Sequence, residues 1–206
     1  MRYVFDIETN GFLDDCDTAH CIVLKDIDTN EIHKLDNKEA VKKLEEAELI
    51  IGHNIIKFDI PVLEKLFSAT FKGKIFDTIV ATRLLFSDIR ETDFSRKDFP
   101  RDCIGRHSLK AWGNRIGKYK EQIDTDWKTF TPEMLDYCVQ DVEVTHSLYN
   151  VIHKKGYSAQ AMELEHEVAQ IIFKQERYGF TFDKNKAQEL YTKLNSRRIE
   201  LAEELQ

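Results

Sequence analysis

The chain has 206 residues, 42% of them hydrophobic, and a formal net charge of −7. The length allows one large domain or one domain with an appendage, and no apolar run is long enough to cross a membrane. The negative charge argues against tight duplex binding by broad phosphate neutralisation, which requires many Lys and Arg contacts. It does not exclude a nuclease that grips only a few nucleotides. The absence of a signal peptide and of paired cysteine spacing predicts a cytoplasmic protein with reduced thiols.

The first predicted element is a buried strand, Tyr3–Glu8, rich in β-branched and aromatic residues. Side chains alternate across a strand, so Asp6 and Glu8 share one face with Val4. Two carboxylates on one face of a core strand repel each other and are costly to bury without a counter-charge. A bound cation would remove that cost. The alternative is a strand end at the surface with two solvated acids.

The next segments alternate between strand and helix signals. Strands are predicted at 21–25, 31–35 and 49–52, and a charged helix begins at Asn37. Pro61 belongs in the first turn of another helix. Asn54 is thereby placed at the carboxyl end of a strand and Asp59 at a helix entrance, the edge where α/β sheets usually build their sites.

The middle of the chain contains its longest polar interval. A short strand at Ile75–Thr78 opens onto a helix containing Leu84 and Leu85, and the interval Ser87–Ser108 follows. The interval holds five basic and five acidic residues with Phe94 and Phe99 between them. A loop of this length in a compact domain is usually functional or disordered. It is either a mobile rim over a groove for a single strand or a solvated insertion, and the second interpretation is slightly favoured.

A long helix is predicted after residue 130. Thr131 is the expected N-cap and Pro132 the first helical residue, and the helix runs to about Ile152 with Gly156 as its stop. Tyr137 and Asp141 are four residues apart and therefore share one face of this helix. Two further helices are predicted, Ala159–Arg177 and a last one capped by Asp183.

Three separated segments carry a family resemblance: Asp6-Ile7-Glu8, Asn54 through Asp59, and Tyr137 through Asp141. In order and spacing they resemble the three motifs of the DEDD superfamily of 3′→5′ exonucleases, in the subclass with tyrosine in the last motif. Longer runs, His107–Gly113 and Lys174–Phe180 among them, are similar to the proofreading domain of family A DNA polymerases from short-tailed bacteriophages. The resemblance covers nearly the whole chain.

The resemblance implies a ribonuclease H-like α/β fold, with a mixed central sheet flanked by helices and a C-terminal helical extension. It implies an exonuclease domain at 1–157 and an extension at 158–206 that leads toward a polymerase domain. The implied reaction is two-metal-ion hydrolysis of phosphodiesters in single-stranded or frayed DNA 3′ ends, releasing nucleoside 5′-monophosphates. The ions are Mg²⁺ or Mn²⁺, because the available ligands are hard oxygens.

The resemblance also assigns roles to individual residues. Asp6 bridges the two ions, Glu8 and Asp141 complete the ligands of the first, and Asp59 holds the second largely through water. Tyr137 positions the attacking water, since a tyrosine pKa of about 10 makes it a poor base at neutral pH. Thr9, Phe12, Leu13 and Asn54 are assigned to gripping the last two nucleotides. For Phe12 and Leu13, simple core packing is an equally good interpretation.

The implied partners are a single-stranded DNA 3′ end and a polymerase domain, in cis or as a separate chain. A monomer in the cytoplasm of a bacterial host is expected, with no DNA synthesis by this chain.

Two alternatives stay open. One is a non-catalytic module that docks to a polymerase, although the presence of all four acids and Tyr137 disfavours it. The other is an RNA-trimming exonuclease of the same superfamily, because the motifs are shared and only the 2′-hydroxyl separates the substrates.

Overall fold

The computed structural model describes residues 1–118, 123 and 125–205. Its elements in chain order are β1 (Arg2–Thr9), β2 (Ala19–Asp26), β3 (Ile32–Lys34), α1 (Asn37–Glu45), β4 (Leu49–Gly52), α2 (Asp59–Phe67), β5 (Lys74–Asp77), α3 (Thr78–Leu85), α4 (Ile89–Phe94), α5 (Leu109–Ile116), α6 (Pro132–Lys155), α7 (Ala159–Tyr178) and α8 (Lys184–Glu204). A single 3₁₀ turn at Arg101–Cys103 precedes α5 in the described chain. The predicted α/β class is therefore confirmed.

The five strands form one mixed sheet in the order β3-β2-β1-β4-β5. β1 pairs antiparallel with β2 and parallel with β4, and β4 pairs parallel with β5. β1 is thus the central strand, flanked by β2 and β4, and the carboxyl ends of β1, β4 and β5 lie at one edge of the sheet. This is the mixed sheet that the ribonuclease H-like resemblance implies.

Helices cover both faces of the sheet, so the core has two layers. On one face, Tyr3, Phe5 and Ile7 of β1 pack against residues of α1 and α2. On the other face, Val4 packs in a cluster that includes α5 and α6. The alternation predicted for β1 is confirmed, and it puts Asp6 and Glu8 on the face covered by α6.

The interval Ser87–Ser108 differs from the prediction of a long polar loop. It contains α4 and the 3₁₀ turn, and Ile89, Asp93 and Cys103 within it are buried. The carboxylate of Asp93 makes two hydrogen bonds with the Arg115 guanidinium, at 3.0 and 2.7 Å. The interval reads as polar because its buried contacts are ionic as well as apolar, and hydrophobic periodicity does not detect an internal ion pair.

Among the predictions of element boundaries, some are confirmed and others differ from the structure. β4 has the predicted bounds, and α6 begins at Pro132 and ends before Gly156 as predicted. Thr131 occupies the N-cap position of α6, but its side chain makes no capping hydrogen bond there. Thr78 begins α3 and does not end β5.

The chain divides into two compact units, Met1–Phe173 and Lys174–Gln206. Within the first unit, Met162 and His166 of α7 are buried. The expected functional boundary after residue 157 stays a prediction, and Gln206 lies outside the described residues. Among the described helices, none combines the length and the hydropathy of a membrane span.

Candidate active site

The end of β1 delivers the first two carboxylates. Asp6 is half-buried and Glu8 is buried, and the register with β2 shifts between Glu8 and Thr9. Such a bulge re-aims the side chains around it. The chain then turns, with the Thr9 hydroxyl donating to the carbonyl of Gly11 at 2.8 Å. This turn leaves the ring of Phe12 83% exposed.

The loop after β4 carries the second set of predicted residues. Asn54 has a positive φ of 69°, a conformation that Asn tolerates better than most residues. Asp59 is the first residue of α2 and is buried, while Phe58 at the N-cap provides no capping side chain.

The electrostatics of Asp59 are unusual. Burial raises the pKa of its carboxyl group most strongly, and the negative charges of Asp77 and Asp141 act in the same direction, while N–H donors from its own backbone and that of Ile7 lower it. Together these effects place the pKa at about 8. A neighbouring cation would favour the ionised form that this site otherwise disfavours.

The helix α6 brings the third set. Tyr137 and Asp141 lie one turn apart on it, and Asp141 is buried. The thiol of Cys138, between them, lies 3.3 Å from the carbonyl oxygen of Asp6 and donates to it. One turn further on, the Lys25 ammonium of β2 pairs with Glu143 at 2.5 Å. The first contact holds α6 against β1, which carries Asp6 and Glu8, and the second holds it against the neighbouring strand β2.

These three segments converge on one cleft of about 470 Å³. Its lining includes nearly all the predicted site residues, namely Asp6, Glu8, Thr9, Phe12, Asn54, Asp59, Tyr137 and Asp141. Leu13 is the exception, because it packs against the core cluster on the α1–α2 side of the sheet. The exposure of Phe12 is inconsistent with core packing, whereas that interpretation describes Leu13 well.

The cleft also contains residues to which the sequence reasoning gave no role. Trp127 lines it with a ring 6.0 Å from that of Tyr137, in an edge-to-face arrangement. Trp127 has a positive φ of 59°. Its carbonyl oxygen lies 2.8 Å from His20 Nε2. In the sequence, no periodicity or motif indicates the place of Trp127 beside Tyr137.

The donor atoms of the cleft fit a hard divalent cation. One carboxylate oxygen of Asp6, one of Glu8 and the Cys138 sulfur lie within 4.8 Å of one another. Burial raises the pKa of the Cys138 thiol well above its usual range, and the thiol donates its hydrogen to the carbonyl oxygen of Asp6. The remaining donors are carboxylates, which suit Mg²⁺ or Mn²⁺ better than soft metals.

Known proteins are similar to this chain along most of its length. The model of a family described as 3′-5′ exonuclease matches residues 16–156, which includes Asn54, Asp59, Tyr137 and Asp141 and begins after Asp6 and Glu8. DNA-directed DNA polymerases of Enterobacteria phage T3 and Escherichia phage T7 are each 32% identical over 98% of the chain. The chain spans 36% of the length of each of these relatives.

Solved structures support the fold alone. The structure of Brucella melitensis NrnC bound to pGG has a TM-score of 0.56 at 20% identity, covering 84% of this chain and 79% of that one. A structure described as the apo form of the nuclease has a TM-score of 0.55 at 23% identity over the same shares. The matches confirm the resemblance stated from the three motifs. The chain belongs to the family of 3′-5′ exonuclease domains whose model it matches.

Proposed function

We propose that the chain is a metal-dependent 3′→5′ exonuclease that shortens single-stranded or frayed DNA 3′ ends and releases nucleoside 5′-monophosphates. The observation that carries this proposal is the convergence of Asp6, Glu8, Asp59, Asp141 and Tyr137, from three distant segments, on one cleft. Four carboxylates around one cavity repel each other, and such an arrangement is suited to holding cations against a phosphodiester.

The metal ligands we propose are those that the family resemblance implies. Asp6 would help to hold both ions, Glu8 and Asp141 would complete the ligands of the first, and Asp59 would hold the second. Two bound ions supply an activated water and charge stabilisation for the departing 3′ oxygen. The protein contributes carboxylates held on three elements, β1, α2 and α6, around one cleft.

The hydroxyl of Tyr137 is proposed to orient the attacking water by a hydrogen bond. The rings of Trp127 and Tyr137 pack in an edge-to-face arrangement, which supports the position of the tyrosine ring. Since an ordinary tyrosine keeps its proton at neutral pH, this group orients the water and does not deprotonate it.

The turn after β1 is proposed to grip the terminal base. Phe12 offers an exposed ring at the cleft, and stacking on one base is worth roughly 1–3 kcal/mol. Lys65 of α2 stabilises this turn by donating to the carbonyls of Leu13 and Cys16, at 2.9 and 2.7 Å. In this arrangement backbone groups near Thr9 and the side-chain amide of Asn54 face the nucleotides. Leu13 supports the turn from the core.

The polymerase relatives suggest the partners. We propose that the exonuclease works with a polymerase domain, in cis or on a separate chain, and that residues 158–206 lead toward it. A monomer acting in the cytoplasm of a bacterial host is consistent with that role, and proofreading would then be its task.

The test is digestion of a 5′-labelled single-stranded DNA oligonucleotide with Mg²⁺, with Mn²⁺ and with EDTA. We expect a ladder that shortens from the 3′ end and disappears with EDTA and in Asp6→Ala/Glu8→Ala. The control Asp88→Ala/Glu91→Ala removes two exposed acids and should retain the ladder. An intact oligonucleotide with a folded native chain would favour the docking module. Faster digestion of an RNA of the same sequence would favour the RNA-trimming enzyme.

A further inference from the structure

Asp77 is a buried acid outside the three motifs. It ends β5, where its Cα pairs in register with Gly52 of β4, and it is 1% exposed. Burial raises the pKa of its carboxyl group, while N–H donors from Ile56, Asn54 and Ile79 act in the opposite direction. A buried carboxylate needs several good hydrogen bonds to offset its desolvation, and the identity of these donors indicates its role.

Two of the donors belong to the loop that follows β4. The amide of Asn54 donates to one oxygen of Asp77 at 2.8 Å, and the amide of Ile56 donates to the other at 3.1 Å. The third donor, the amide of Ile79, makes the same carboxylate the N-cap of α3. One side chain thus joins the start of α3 to the turn in which Asn54 has its positive φ.

Thr78 holds the same loop from its other end. Its buried hydroxyl donates to the carbonyl of Gly52 at 3.0 Å. Its oxygen lies 2.8 Å from Nδ1 of His53 and accepts from it, because the hydroxyl hydrogen is already committed to Gly52. The space for this arrangement is tight, since a Cβ on Gly52 would lie 2.1 Å from the Ile55 side chain.

Asp77 is itself held by α7. Its backbone amide donates to Nε2 of His166 at 2.8 Å, so the ring proton of this buried histidine is on Nδ1, which faces the carbonyl of Met162 at 2.7 Å. The ring of His166 also packs against Phe76, the residue before Asp77. The chain of contacts therefore runs from α7 through Asp77 to the loop.

We propose that Asp77 and Thr78 are positioning residues of the exonuclease site, which fix the 52–56 loop so that Asn54 and Asp59 face the cleft. This inference rests on the proposed function. The Ile60 amide donates to the Ile55 carbonyl at 3.0 Å, so the loop braced by Asp77 continues directly into the turn that presents Asp59. Neither Asp77 nor Thr78 lines the cleft itself.

The principal test compares Asp77→Asn with Asp93→Asn. Asp93 is also 1% exposed and also accepts from several N–H donors, but its donors are Gly105 and Arg115, away from the 52–56 loop. In Asp77→Asn one N–H donor of the loop faces an NH₂ group in place of an oxygen. We expect a loss of about 10- to 100-fold in rate, or a rise of that size in half-saturating Mn²⁺, as for groups that orient metal ligands. Asp93→Asn should stay within about twofold at a temperature where both variants are folded.

Amide hydrogen exchange distinguishes a local change in the loop from general destabilisation, which would accelerate exchange across the whole core. Exchange at Asn54 and Ile56 should accelerate at least about tenfold in Asp77→Asn relative to Asp93→Asn. Unchanged exchange at these amides, or equal activity losses in both variants, would overturn the positioning role. A native chain without nuclease activity would overturn the proposed function, and the exchange measurement would still decide the role of Asp77 in shaping the loop.

A milder pair of variants covers the case in which Asp77→Asn does not fold. Thr78→Val removes one buried hydroxyl with almost no change in shape, and Thr82→Val does the same on α3, where the hydroxyl of Thr82 donates only to the carbonyl of Ile79. We expect Thr78→Val to lower the rate about three- to tenfold and Thr82→Val to leave it within twofold. Equal rates for the two variants would overturn the proposal.

Discussion

Tyr137 and Asp141 are one helical turn apart in the same cleft, yet their side chains offer different chemistry. Asp141 is a buried carboxylate among other carboxylates, whereas Tyr137 offers a neutral hydroxyl. We expect Asp6→Ala and Asp141→Ala each to lower the exonuclease rate by roughly 10²–10³-fold, as for groups that stabilise transition-state charge. Tyr137→Phe removes one hydrogen bond worth about 0.5–1.5 kcal/mol and should cost about 2- to 13-fold.

Single-turnover digestion at saturating Mn²⁺ measures these differences directly. Thermal unfolding of each variant controls for loss of structure, and the ring of Tyr137→Phe preserves the packing against Trp127. Similar losses in all three variants would contradict the division between metal-holding acids and a water-orienting hydroxyl.

Asp59 makes stability depend on pH when no metal is present. Its pKa is raised by burial to about 8, against about 3.9 in an unfolded chain. A raised pKa means that the folded state binds the proton more tightly. The contribution of the protonated Asp59 carboxyl group to the free energy of unfolding is therefore fully present below about pH 4 and is lost as pH rises through about 8.

The measurement is thermal unfolding in EDTA between pH 5 and pH 8.5. We expect the native chain to lose stability across this range by an amount on the order of a few kcal/mol. Asp59→Asn should make the unfolding midpoint depend less on pH. In a parallel series with Mn²⁺ in place of EDTA, the midpoint of the native chain should rise more at pH 8 than at pH 5. A native profile parallel to that of Asp59→Asn would show that Asp59 is ionised without a cation.

At the scale of elements, α6 is attached to the sheet by an ion pair as well as by apolar packing. The Lys25 side chain is buried, and that of Glu143 is 30% exposed. Burial alone would raise the pKa of Glu143, but the hydrogen bond and charge of Lys25 bring it below its usual value. Lys25→Met leaves Glu143 without its partner on β2, and we expect a cost of about 1–3 kcal/mol, less than for a fully buried pair.

Urea unfolding at pH 7 measures this cost, with Lys110→Met as the matched control. Lys110 pairs with Asp102 at 2.8 Å in a more exposed position, so its loss should cost less than about 1 kcal/mol. Because the pKa of Glu143 is lowered, its contribution is present above about pH 4.3 and lost on further acidification. Equal costs for the two lysine variants would show that burial does not strengthen the Lys25 pair.

The elements themselves were largely predictable where local signals agree. β1, β4 and α6 follow from strand alternation, from a bounded apolar run and from Pro132 with Gly156. The prediction of a loop at Ser87–Ser108 was wrong, because this interval is ordered by the ion pair between Asp93 and Arg115, two residues 22 positions apart in sequence. Pairings of this kind depend on tertiary approach and leave no periodicity in the chain.

The same distinction applies to the cleft. The motifs predicted carboxylates that the structure does bring together: Asp6 and Glu8 lie near the end of β1, Asp59 begins α2, and Asp141 lies on α6, which packs against the sheet. The sequence did not predict a contribution of three further residues to the structure of the cleft, namely Asp77, Trp127 and Cys138. Each acts through a partner from a different element, and in sequence Asp77 is indistinguishable from any acid that caps a helix.

For the whole molecule, net charge limits how the chain holds DNA. With a formal charge of −7, the protein is expected to contact only two or three phosphates near the 3′ end. Each phosphate neutralised on a single strand contributes about −0.7 to the slope of log affinity against log salt. We therefore expect a slope of roughly −1.4 to −2.1.

Fluorescence anisotropy of a labelled oligonucleotide in EDTA, where hydrolysis is blocked, gives this slope. A duplex of the same sequence is the control and should bind more weakly than the single strand. A slope steeper than about −4 would contradict the expectation, because it would require an extended basic surface.

All four cysteines of the chain, Cys16, Cys21, Cys103 and Cys138, are free thiols and buried. The folded protein should therefore resist maleimide reagents without removal of any native cysteine. Phe12→Cys would then place a single reactive thiol at the mouth of the cleft, where the native side chain is 83% exposed. A fluorophore attached there would report the arrival and departure of a DNA end in real time, in a protein whose interior is otherwise unaltered.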